Sequence, residues 1–260
     1  MDNFKSRLII FCTEVCEKNR YFYSDITLEF LKDLYDYVTS EKIYCVKHIP
    51  DNKVFYRARA HDFINTTNAY TKIPFNSEEM KPAKNMRANG RLNAYNVNAL
   101  YLAEDQSTAV SEVRAAAGAP ISVAAFQTNK ELKVLRFDYT SDAIDAWSYC
   151  FNAITYDLAY MFSQPLDNPE HQSREYIPTQ IIAEYFKSKG IDGIEYPSQF
   201  ISDTKLFQDA KSAEPKNPPI NQSTRFNLCL FDVNAADCVP GTIEVLSLKK
   251  RMNIVGDYEA

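Results

Sequence analysis

The sequence predicts an α+β protein: a central mixed or antiparallel β core, helices inserted between its strands, and a helical appendage in front. Three observations predict this class. Runs such as VFYRARA (54–60) and FNLCLFD (226–232) have the short alternating or fully apolar pattern of strands. The first forty residues instead space their apolar side chains by three and four. No unit repeats at a period of 20 to 50 residues, which excludes solenoids and propellers.

Taken in order, residues 4–17 carry Phe4, Leu8, Cys12, Val15 and Cys16, a stripe that buries one helix face. Ser24 or Asp25 can cap a second helix bearing Phe30, Leu31, Leu34, Tyr35 and Val38. Residues 1–50 are therefore expected to be a helical appendage, and 51–250 the main domain. In the 54–60 strand Arg57 and Arg59 share one side, and two guanidiniums so placed can fork phosphate oxygens. Residues 61–89 are irregular and predict a long loop bordering a cleft, with Lys81, Lys84 and Arg87 carrying positive charge toward Arg91.

The stretch RLNAYNVNALYLAEDQSTAVSEVR (91–114) organises the rest. It delivers Arg91, then a turn (93–98), an apolar strand with Tyr101, and a helix starting at Asp105 or Ser107 that carries Glu112 and runs to Ala117. Gly118 and Pro120 stop that helix, and strands follow at 121–128 and 133–139. A helix at 151–162 ends at Pro165 to Pro169. A capped amphipathic helix at 179–189 closes at Gly190 and leads to a short strand, 194–196, that presents Ser198 at its end. Residues 199–224 hold many polar side chains without a period and predict a mobile insertion; strands at 226–232 and 242–248 precede a basic, polar tail.

Composition narrows the function. A net charge of −5 argues against a nucleic-acid binder, and no apolar run reaches the length of a membrane span, which points to the cytoplasm. The front of the chain lacks the pattern of a signal peptide. Six cysteines scattered through apolar patterns suggest reduced, packed thiols; with three histidines and no zinc spacing, no metal site is expected. Only six glycines are present, without a GxGxxG or P-loop pattern, so a nucleotide would have to be held by side chains.

Arg91, Tyr101 and Glu112, within R-L-N, A-L-Y-L-A and S-E-V-R, resemble the Arg, Tyr and Glu blocks of the RES domain family. V-F-Y-R-A-R (54–59), GIDGIEYPS with Ser198, and N-L-C-L-F-D (227–232) resemble its opening strand, its Ser block and its closing strand. After Arg91 this chain has L-N-A-Y-N, where the family commonly has an aromatic residue, Asn, Pro and a Gly. The resemblance implies a fold related to ADP-ribosylating toxins and a toxin, usually paired with an antitoxin, that consumes NAD. Phosphorolysis or hydrolysis of NAD is the implied reaction, with inorganic phosphate as a co-substrate in the first case and no further cofactor. Transfer of ADP-ribose to a protein, or an inactive binding module on the same scaffold, are the alternatives. The first fifty residues are then either a packing layer or a surface for an antitoxin, a second subunit or a sensor.

In that reading Glu112 stabilises the positive charge that develops on the ribose as neutral nicotinamide departs. Arg57 and Arg91 hold the pyrophosphate or an incoming phosphate. Tyr101 borders the nicotinamide ring while its hydroxyl reaches a ribose or phosphate oxygen, and Ser198 hydrogen-bonds the ligand.

Overall fold

A computed structural model describes residues 2–41, 43, 45–61, 74–83, 89–115, 119–138, 146–164, 174–199 and 225–247. The expected mobile insertion, except its first residue, lies outside these, as do Lys84, Arg87, much of the 61–89 loop and the basic tail. Helices α1 (Asp2–Glu17) and α2 (Asp25–Val38) form an antiparallel pair, with the Ser24 side chain accepting from the Thr27 backbone N–H as N-cap. Strands β1 (Val46–Ile49) and β2 (Val54–Ala60) follow, then a single-turn α3 (Ser77–Met80) with a complete capping box from Asn76 and Glu79. Next come β3 (Leu100–Ala103), α4 (Gln106–Glu112), β4 (Pro120–Thr128) and β5 (Leu132–Arg136). The chain continues through α5 (Ala146–Ser163), α6 (Ile177–Ser188), β6 (Gly193–Pro197), β7 (Phe226–Leu230), β8 (Ala236–Cys238) and β9 (Glu244–Ser247).

All nine strands belong to one sheet, ordered β1-β5-β6-β7-β3-β2-β4-β8, with β9 also on β4. Among the described residues only β5 and β6 run parallel, so the sheet is mixed and the class is α+β. One contact in this sheet is thin. β2 pairs with β4 over all seven of its residues, from Val54↔Gln127 to Ala60↔Ile121, but touches β3 through the single bridge Tyr56↔Ala103. The two strands diverge from that bridge, and the divergence opens the cleft described below.

Each face of the sheet buries its own core. On one face α1, α2, α5 and α6 pack Phe11, Phe30, Leu34, Phe162 and Phe186 against Leu135, Ile194 and Cys229 of the strands. On the other face Ile49, Phe55, Leu100, Phe126, Val134 and Leu228 meet, so strands from both ends of the order share one cluster and the sheet curves around it. The N-terminal helices thus belong to the main core, and the last part of the first fifty residues is a sheet strand, β1, on β5. Four residues, VKHI, are too short to declare themselves as a strand by pattern.

Three helix boundaries differ from expectation, one being the start of α5 at Ala146 rather than 151. The helix expected to reach Ala117 ends at Glu112, because Arg114 takes a left-handed φ of 48° and the Ser111 hydroxyl donates back to Ser107 O. The helix expected from Thr179 begins at Ile177, with Pro178 in its first turn, and Gly190 follows at φ 83°. Among the described residues no helix is long and apolar enough to cross a membrane.

Candidate active site

Glu112 occupies the last position of α4, a helix whose N-cap Asp105 accepts from the Thr108 backbone and side chain. Burial would raise the Asp105 carboxyl, but hydrogen bonds from Ser107 and Thr108 outweigh it and lower the pKa. At the far end of this well-capped turn, Glu112 Oε1 accepts from Ser198 Oγ at 2.8 Å and from Asn227 Nδ2 at 2.6 Å. Its other oxygen, Oε2, stands 3.8 Å from Arg91 Nη2, too far for a hydrogen bond. One carboxylate oxygen is therefore saturated by the protein, and the other is held by charge alone.

Ser198 and Asn227 come from neighbouring strands. β6 and β7 are antiparallel, with Tyr196 opposite Asn227, and Ser198 N continues the ladder by donating to Arg225 O at 2.7 Å. Both residues are buried, at 8% and 3% exposure. The Ser198 hydroxyl proton is thus given to Glu112, so the expected bond to a ligand would use the acceptor capacity of the oxygen. Asn227 was not anticipated: within NLCLFD, a single amide in an apolar run looks like an interruption of the core, and only its register opposite Tyr196 reveals it.

Arg91 lies in a segment with no regular structure and reaches the same carboxylate. The phenols of Tyr176 and Tyr196 are near enough to act on its guanidinium charge. Burial opposes its charge, yet Tyr196, Glu112 and Tyr176 outweigh that and hold its pKa above the ordinary arginine value. Burial pushes the Tyr196 phenol up as well, so it stays protonated.

Arg57 sits where β2 and β3 part. Its Nη1 donates to Tyr101 O at 2.9 Å, filling the gap in the ladder, while its Nε is buried with no partner among the described residues. Burial, with the neighbouring Arg59 charge, lowers its pKa to about 10, which leaves it cationic at neutral pH. A buried guanidinium N–H without an acceptor is costly unless something else supplies one.

The expected fork of Arg57 and Arg59 does not form. Arg59 lies over the Phe75 ring at 4.5 Å and donates to Glu79 O in α3, so it is committed to holding that turn. Lys81 likewise pairs with Asp237 at 2.6 Å, away from the expected basic lip.

Tyr101 presents its ring to the cleft, but its hydroxyl is engaged: it donates to Asn93 Oδ1 at 2.8 Å and accepts from Leu92 N at 3.0 Å. The expected reach to a ribose or phosphate oxygen is thereby replaced by a grip on the Arg91 segment. Gly90 fits this grip, since a Cβ there would collide with Asn93 Oδ1 and Tyr101 Oη. Burial raises the Tyr101 phenol well above its usual pKa.

Arg57, Tyr101, Glu112 and Asn227 line a cleft of about 200 Å³ with Tyr56 and Tyr196, among others, while Arg91 and Ser198 contact Glu112 from outside that lining. The geometry brings four of the five expected residues, Arg91, Tyr101, Glu112 and Ser198, into one hydrogen-bonded and charge-paired set, and Arg57 joins through the Tyr101 carbonyl. Such a set can bind an anion and steady a developing positive charge. Among the described residues no group of His, Cys, Asp and Glu is placed to hold a metal ion.

The fold and cleft define an α+β protein whose pocket opens at a parting in its sheet and is lined by one carboxylate and one half-buried guanidinium, with a second guanidinium, that of Arg91, paired to the carboxylate. A family model described as RES domain matches residues 54–239, from β2 to the end of β8. The chain belongs to the RES domain family. No curated protein matches it. Among solved structures it is similar to a chain in the crystal structure of the M. tuberculosis MbcT–MbcA toxin–antitoxin complex, at 12% identity and a TM-score of 0.35, covering 78% of this chain and 87% of that one.

Proposed function

We propose that the protein is a RES toxin that cleaves the bond between nicotinamide and ribose in NAD, by phosphorolysis or hydrolysis, and that an antitoxin restrains it. The observation that carries this reading is the asymmetry of Glu112. Oε1 is fixed by Ser198 and Asn227, while Oε2 has no hydrogen bond among the described residues and stands 3.8 Å from Arg91 Nη2, on a residue that lines the cleft. A carboxylate oxygen so placed can accept a ribose hydroxyl and stabilise the cationic ribosyl centre, electrostatic help worth ~3–4 kcal/mol. Nicotinamide leaves as a neutral base, so no second acid is needed, unlike in glycoside hydrolysis.

Arg57 and Arg91 supply cations for the pyrophosphate or for an attacking phosphate. The ring of Tyr101 gives the nicotinamide an apolar wall. Incubation of the purified protein with NAD, with and without inorganic phosphate, followed by mass identification of products, tests the reading. Nicotinamide with ADP-ribose indicates hydrolysis, nicotinamide with a phosphorylated ADP-ribose indicates phosphorolysis, and mass added to a protein indicates transfer. Intact NAD in both mixtures, with the protein folded, overturns it.

A further inference from the structure

Arg91 reaches Glu112 from a segment outside any helix or strand, so its position depends on what grips the backbone around it. Four contacts do so. Gly90 N donates to Asn93 O at 3.0 Å, Leu92 N donates to Tyr101 Oη at 3.0 Å, Gly90 O accepts from Gln180 Nε2 at 2.8 Å, and Arg91 O accepts from Thr179 Oγ1. Two of the four come from the first turn of α6. Thr179 and Gln180 are each 2% exposed, in a helix that continues with Ile181, Ile182 and Ala183 into the apolar core.

Polar side chains in that position cost free energy unless their bonds return it. For Gln180 the return is incomplete, because its Oε1 is buried with no partner among the described residues. Its amide is kept there by the contact with Gly90 O. Both side chains are spent on the backbone carbonyls of Gly90 and Arg91, and neither lines the cleft.

Resting on the reading of the site given above, we infer that the first turn of α6 is a positioning device for the reaction. Thr179 and Gln180 are positioning residues that fix how far the Arg91 guanidinium extends toward Glu112. α6 is itself located by the N-terminal hairpin: Tyr35 packs on Tyr185 and Phe186, and Glu17 pairs with Arg174, just ahead of the helix, at 2.9 Å. Segments ahead of the family match therefore reach the site through this turn.

The test compares variants of the full chain in an NAD turnover assay alongside thermal melting. Thr179→Val removes the hydroxyl at nearly constant shape and should lower kcat/KM by about tenfold to a hundredfold, the scale expected for displacement of a group that orients substrate. Thr179→Ser keeps the hydroxyl and should restore turnover close to wild type. Gln180→Met removes both the donor to Gly90 and the orphaned oxygen, and should hold its melting temperature while losing turnover, a split that a purely structural residue would not show. Thr128→Val, which deletes an equally buried hydroxyl at the end of β4, outside the cleft lining and the hairpin, should keep wild-type turnover. Folded Thr179→Val and Gln180→Met proteins with wild-type kcat/KM, or a Thr179→Ser protein as impaired as Thr179→Val, would overturn the inference alone. A wild-type protein that leaves NAD intact would overturn the reading of the site and this inference together.

Discussion

The two oxygens of Glu112 have different surroundings, and substitution can separate their roles. Glu112→Gln retains an oxygen able to accept from Ser198 and Asn227 but carries no charge toward Arg91. Nicotinamide release should fall about a hundredfold or more, with the melting temperature little changed. Retained release would show that another group stabilises the ribosyl charge. Tyr101→Phe is expected to act differently, leaving Leu92 N and Asn93 Oδ1 without their phenol partner. The urea midpoint should report a loss of about 1–3 kcal/mol. At this scale the sequence was most informative through resemblance: Arg57, Arg91, Tyr101, Glu112 and Ser198 are nameable from family blocks, yet what each side chain touches was not. Tyr101's hydroxyl faces inward and Arg59 serves α3, because their hydrogen-bond partners, 20 residues away for Arg59 and 8 or 9 for Tyr101, are set by packing rather than pattern.

Among the elements, the segment at Gly90 is constrained by the close approach of the Asn93 and Tyr101 side chains. Gly90→Ala should displace Asn93 or Tyr101 and lower NAD turnover while far-ultraviolet circular dichroism stays unchanged, since no helix or strand includes the residue. Wild-type turnover would mean that Arg91 tolerates movement of its own backbone. The periodic elements were legible: α1 and α2 from their stripes, β2, β4 and β7 from their runs, and the end of α6 from Gly190. The short ones, β1, α3 and β8, were not, because three or four residues hold too little pattern to distinguish them from loop. The early end of α4 was hidden for another reason. Arg114 in a left-handed conformation goes against its own steric preference and is maintained by the surrounding fold.

On the scale of the whole molecule, the front hairpin is bound into the main core, and Phe186 is where α6, α2 and the strands meet. Phe186→Ala should cost about 3–5 kcal/mol in global stability, measured by urea unfolding followed at several probes. The hairpin also carries a pH dependence. Glu14, 7% exposed, accepts from Ser24 N at 2.7 Å and Thr27 Oγ1 at 2.6 Å, as well as from Ser24 Oγ. Burial would raise its pKa, but these bonds outweigh that and hold it below the ordinary 4.5. The stability it supplies is complete above that unfolded value and is lost as pH falls through the lower folded one. The difference in unfolding free energy between wild type and Glu14→Gln should therefore be constant near neutrality and shrink in acid below about pH 4.5. A difference that does not change with pH would mean that Glu14 does not titrate on unfolding.

Sheet topology across the molecule was legible only as a class, because nothing in the sequence of β2 or β3 announces that the two meet at one bridge. That bridge makes the nine strands into two panels with a seam between them, β1-β5-β6-β7-β3 on one side and β2, β4, β8 and β9 on the other. Amide protons along the facing edges of a seam lack the protection of a continuous ladder, so in deuterated solvent they should exchange sooner than those inside either panel. A molecule lodged in the parting would shield them, and slowed deuterium uptake at Ala58 or Tyr101 would then register occupancy even when no bond is being broken.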